Sequence, residues 1–132
     1  MSFQLAKDWV TYLKTAIFSG QYGSVRKTDI ATAGTGNFTC DWNDGNCHYV
    51  LLITATAGTI TLNNPVAGAR YLLELKQPAS GTAATVVWPV NVQWGSAGTP
   101  TLTLTNGQTD IIALYYNGTN YIASFGPSAL IV

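Results

Sequence analysis

Two periodicities divide the chain. In its first part apolar residues recur at Phe3, Ala6, Val10, Leu13 and Ile17, alternately three and four positions apart. That spacing lines one stripe of a helix and matches the seam of a short coiled coil. Leu5, Trp9 and Ala16 widen the stripe, Ser2 suits the N-cap and Gly20 suits the stop. A helix over residues 2–19 is therefore predicted. So short a helix is marginal alone in water. Its stripe needs cover from its own copies, from the rest of the chain or from a larger assembly. Residues 20–37 lose the pattern. Gly20, Gly23, Gly34 and Gly36 interrupt them, and Arg26, Lys27 and Asp29 concentrate charge there. They read as a linker arm, either a tether or an extended segment laid over a neighbour.

From Phe38 the period falls to two. Short runs rich in Val, Ile, Leu, Thr and Tyr alternate with turn residues, giving candidate strands at 37–42, 47–54, 58–62, 69–76, 84–88, 90–94, 100–105, 110–116 and 120–125. Thr101-Leu102-Thr103-Leu104-Thr105 alternates strictly, and Asn43-Asp44-Gly45-Asn46, Asn106-Gly107 and Asn117-Gly118 mark turns. No internal repeat long enough for a solenoid is visible. The expected fold is mainly β: an antiparallel β-sandwich or jelly-roll-like knob over 38–132, preceded by the short N-terminal helix.

Charge sharpens this picture. The 132 residues carry six basic and six acidic side chains, so net charge is zero and gives no footprint for nucleic acid. Charged residues make up 9% of the chain, against roughly 25% in ordinary soluble domains. From Gln77 to Val132 the one charged side chain is Asp110. A surface so poor in charge is expected to be covered in an oligomer, because obligate interfaces resemble a core cut in half. The N-terminus lacks a basic segment followed by an apolar run, so synthesis in a cytoplasm is expected. No apolar run reaches the roughly 18 residues of a membrane span, and no membrane insertion is expected.

Candidate chemistry is sparse. The single histidine, His48, follows Cys47 and lies near Asp41 and Asp44. The spacing matches no metal motif, and Asp41–Asn46 departs from a calcium loop in the place of its glycine and in lacking a closing glutamate. A polar turn is the expected reading, with no metal and no cofactor. Cys40 and Cys47 flank that turn. Were 37–42 and 47–54 a hairpin, a disulfide between them would be feasible, although two packed thiols are favoured in a cytoplasm. Glu74, the lone glutamate, shares a strand face with Lys76, which suits an ion pair or a solvent-facing position better than acid catalysis. No Ser-His-Asp set and no phosphate loop can be assembled, so no enzyme is expected. The aromatics Trp42, Trp94, Tyr116 and Tyr121 are candidates for a binding surface, with core or subunit packing as the other reading.

Several segments carry a family likeness. They are Pro65–Tyr71, Thr85-Val86-Val87-Trp88-Pro89, Val92-Gln93-Trp94, Gly98–Leu102, Asp110–Leu114 and the ending Tyr116-Asn117-Gly118-Thr119-Asn120-Tyr121-Ile122-Ala123-Ser124-Phe125-Gly126, with Asp41–Asn46 as an opening turn. Together they resemble a module of tailed-phage fibre and head-fibre proteins, over about residues 38 to 126. The resemblance implies a β-sandwich-like domain on the virion, usually homotrimeric, without catalysis or cofactor. The module commonly ends a long fibre; here it follows a short helix and linker after Met1. The expected role is a trimeric capsid decoration protein or short head fibre, with residues 1–19 serving attachment or trimerisation. A tail-fibre or tail-tip receptor-binding protein is the alternative, and a carbohydrate-binding accessory domain a third. The partners expected are the protein's own copies, capsid or tail proteins, and in the second and third cases a host glycan or receptor.

Overall fold

The computed structural model describes residues 25–53 and 57–131. The predicted helix and its stripe of Phe3, Ala6, Val10, Leu13 and Ile17 lie outside the described residues. The described residues form nine strands: β1 (Arg26–Ile30), β2 (Phe38–Asp41), β3 (Cys47–Leu51), β4 (Gly58–Asn63), β5 (Arg70–Lys76), β6 (Val86–Val87), β7 (Val92–Gln93), β8 (Thr109–Tyr116) and β9 (Tyr121–Phe125). The protein is mainly β, as its period-two pattern requires. No helix among the described residues is long and apolar enough to cross a membrane.

The strands form a six-stranded sheet in the order β1-β3-β5-β8-β9-β7 and a three-stranded sheet in the order β2-β4-β6. Successive strands from β1 to β6 alternate between the two sheets. Their ladders are parallel: β1 with β3, β3 with β5, β2 with β4, and β4 with β6. The chain therefore winds, and each pass lays a strand beside the one two elements earlier. Antiparallel pairing, expected throughout, occurs in β5·β8 and β8·β9, while β7 joins β9 in parallel. The reason lies in the connections. The turn after Asp41 carries the chain across to the other sheet, so β2 and β3 are not a hairpin. A hairpin does form at Asn117-Gly118, where β8 and β9 pair through Tyr116 and Tyr121.

Two further expectations change. Residues 26–30, read as linker, are an edge strand. Its exposed Arg26, Lys27 and Thr28 are side chains that shield an open edge from foreign strands. Residues 100–105, read as a strand, have no ladder. Leu102 is buried but Leu104 is exposed, and the Thr103 amide donates to Asp110 Oδ2 at 2.6 Å instead of to a neighbouring strand.

Alternation sends one face of each sheet into a shared core. Phe38 and Cys40 of β2, Ile60 of β4, Val50 of β3, Leu73 and Leu75 of β5, and Ile112 and Leu114 of β8 belong to one buried cluster. Fully burying such an aliphatic side chain is worth about 1.5–3 kcal/mol. The lone charge of the C-terminal part, Asp110, is buried too. Its second oxygen, Oδ1, accepts from the Ala129 amide at 3.0 Å, so it ties the 100–105 segment and the C-terminal tail to β8.

Candidate functional site

Two features stand out: a buried polar clasp between the first turns of the winding, and an apolar outer face.

The clasp centres on His48, which is fully buried on the inward face of β3. Its Nε2 donates to the Asp41 carbonyl oxygen at 3.0 Å, and its Nδ1 lies 2.5 Å from Asp29 Oδ2. A carbonyl oxygen can only accept, so Nε2 carries a proton. One more proton sits between Nδ1 and the carboxyl group. Held on nitrogen or on oxygen, it leaves the pair without net charge, which suits burial. Trp42 stands edge-on to the ring at 5.1 Å. The sequence offered Asp41 and Asp44 as the acidic neighbours of His48. The structure supplies Asp29 instead, from the supposed linker, because β1 lies beside β3. Asp44 faces Lys27 at 3.9 Å, and the Asp41 carboxylate accepts from Asn64 and the Asn43 amide, which hold its pKa down.

Asp29, Cys40 and His48 are also the one grouping of potential metal ligands among the described residues, their donor atoms within 4.8 Å of one another. The arrangement does not favour an ion. Both histidine nitrogens are already engaged, and burial pushes the Cys40 thiol well above its usual range. A thiolate ligand must lose the proton that this environment retains.

Cys40 and Cys47 are free thiols. The suggested disulfide fails on topology. Cys40 points into the core from β2, whereas Cys47 lies on the outer face of β3, in the other sheet. The proposed binding aromatics change place as well. Trp42 and Tyr121 are core residues, 5% and 1% exposed. The Trp42 indole donates to the Tyr121 hydroxyl at 2.9 Å, and its ring stacks on Tyr71 at 4.1 Å. Their strands alternate inward at those positions, which the residue types alone do not reveal. Tyr116 is half-buried against Tyr121, and its hydroxyl donates to the Gly118 carbonyl. Trp94 is half-buried, edge-on to Trp88 at 4.8 Å.

The buried Tyr121 phenol has its pKa pushed up to about 12, by burial above all. A raised value means that the unfolded chain, near 10.0, ionises first. Tyr121 therefore stabilises fully below that pH, and the contribution is lost as pH climbs towards 12. The urea midpoint of the parent is expected to fall between about pH 9 and about pH 11, and Tyr121→Phe to flatten part of that fall. At neutral pH the same variant should cost about 1–3 kcal/mol, because the Trp42 N–H is left buried without an acceptor.

The second feature was not anticipated from the sequence. The outward positions of the six-stranded sheet form rows across it. One runs Arg26, Cys47, Leu72, Ala113, Ser124 and another Arg70, Tyr115, Ile122, Gln93. A shallow groove of about 540 Å³ lies there, lined by Leu72, Ala113, Tyr115, Ile122 and Ser124, with Arg70 at its β5 side. Tyr115 is 42% and Ile122 48% exposed. Charge is confined to one side: Arg26 pairs with Glu74 at 2.5 Å and lies over the Tyr49 ring at 4.0 Å. The outer face of the three-stranded sheet is more polar, presenting Thr39, Asp41, Thr59, Thr61 and Asn63, with Val87 of β6 its exposed apolar side chain. No family model, no curated protein and no solved structure matches the chain.

Proposed function

We propose that this chain is a structural protein of a tailed-phage virion, a trimeric capsid decoration protein or short head fibre. The segments that resemble the fibre module carry the reading, because they meet in space. The Gly68 amide donates to the Tyr116 carbonyl at 2.7 Å and the Tyr116 amide to Ala69 at 3.0 Å, while Val92 and Gln93 pair in parallel with Tyr121 and Ile122. Stretches scattered over the sequence thus make one unit around β8 and β9, as a module requires. The two sheets on their shared core are read as the faces of a β-sandwich knob. The charge-poor C-terminal half suits a surface covered in a trimer, and the heptad stripe of residues 1–19 suits attachment or trimerisation. The sealed His48 and the paired Glu74 fit a role without catalysis. The sugar-binding alternative loses two of its four aromatics to the core.

Quantitative mass spectrometry of purified parent particles tests the proposal. Copies in the hundreds are the expected result and place the protein on the head. A few to a few dozen copies would favour the tail-fibre alternative. Absence from particles would overturn the virion reading.

A further inference from the structure

We propose that copies of this chain meet through the uncharged half of the six-stranded sheet's outer face, over β8 and β9. The inference rests on the trimeric reading above and adds the surface that carries it.

The two outward faces differ in what they ask of their surroundings. Threonine, asparagine and aspartate, which predominate around Val87 on the three-stranded sheet, are at home in water. Leu72, Ile111, Ala113, Tyr115 and Ile122 on the six-stranded sheet are not. Where a sheet is apolar on both faces, as this one is over β8 and its neighbours Leu72 and Ile122, both are normally covered. Its inner face is covered by the core, and its outer face among the described residues is open.

The distribution of charge selects the occupant. Among the described residues, the charges of this face are Arg26, Arg70, Glu74 and Lys76, all on β1 and β5. β8 and β9 contribute none, since Asp110 is turned inward and held by two amides. In a threefold assembly the side chains nearest the axis meet their own copies, so a charge placed there faces like charges. The neutral strip of Ala113, Tyr115, Ile122 and Ser124 therefore suits the position nearest that axis. A charged partner would instead draw complementary charges onto the surface. Ala113 and Ser124, adjacent in register, are small enough for two sheets to approach closely.

Light scattering on the full-length protein, at micromolar concentration, tests this. The parent is expected to be a trimer. Ile122→Lys and Ala113→Arg should each raise the dissociation constant about 100-fold or more, because each buries an unpaired charge. Thr61→Lys, on the outer face of β4, should leave it unchanged. Circular dichroism establishes that the variants are folded. Ser124→Cys in a Cys47→Ser background keeps the apolar face, and on oxidation should give covalent dimers. A monomeric parent would overturn the trimeric reading and this inference together. A trimeric parent whose dissociation constant withstands both charged variants, with no cross-link at position 124, would overturn the face alone and leave the trimer on another surface. Should the charged variants unfold, the cross-link decides: present it supports the face, absent it sinks it.

Discussion

Gly58→Ala is expected to destabilise the protein by at least about 3 kcal/mol, one of the largest effects available from adding a single carbon. Gly58 opens β4 on its inward face, and its Cα lies against the backbone of Gly36. A Cβ there would stand 2.0 Å from the Gly36 carbonyl oxygen and 2.5 Å from its carbon. Neither atom can swing aside as a side chain would. Both segments are also tied. The Gly58 amide donates to Thr85, the Gly36 amide to Thr32, and the Thr59 amide to Asn37 Oδ1. Relief must come from moving β4 away from the 32–37 turn, at the expense of those bonds and of the core beneath. Thr61→Ala, on the exposed face of the same strand, should stay within about 0.5 kcal/mol. Urea midpoints of the two variants check the difference. A Gly58→Ala loss below about 1 kcal/mol would mean that the two segments do not approach this closely.

That contact also explains where sequence reasoning stops. Alternation in Tyr71-Leu72-Leu73-Glu74-Leu75 and Asp110-Ile111-Ile112-Ala113-Leu114 fixes strands, because each burial choice is local. The Asn117-Gly118 turn fixes a hairpin for the same reason. Parallel winding leaves no such mark. β1, β3 and β5 become neighbours through connections of unequal length, so no repeat announces them. Arg26–Ile30 is written in charged and polar residues because it is an edge, and its hydrogen bonding to β3 is a tertiary fact. Thr101–Thr105 errs in the opposite sense. Its alternation is that of a strand, yet the Asp110 carboxylate takes the Thr103 amide. The binding aromatics fail on parity: Trp42 continues the inward series Phe38, Cys40, and Tyr121 heads the inward series of β9, so both were readable as core once their strands were placed in register. The outer face was half legible. The scarcity of charge after Gln77, where Asp110 stands alone, raises the expectation of cover, and only the register of β8 with β9 gathers Ala113, Tyr115, Ile122 and Ser124 into one surface.

His48→Ala should cost about 3–5 kcal/mol, through two independent losses. Removing the ring opens a cavity beside Trp42 in a site with no exposure. It also leaves the Asp29 carboxylate and the Asp41 carbonyl without their donors. The carboxylate matters more, since a charge that is largely withdrawn from water and loses its partner is worse than a missing neutral bond. Asp29 is the inward anchor of β1, whose other side chains are mostly exposed. Loss of the clasp should therefore free the edge strand before the rest. Hydrogen exchange should show protection falling across residues 26–30 in Asp29→Ala while β5 and β8 stay protected. The double replacement Asp29→Val with His48→Leu separates the two causes. With both polar partners gone and the volume partly refilled, most of the single-variant loss should return. A double variant no more stable than His48→Ala would assign the whole effect to packing around Trp42, and would remove the clasp as the device that holds the first turn of the winding to the second.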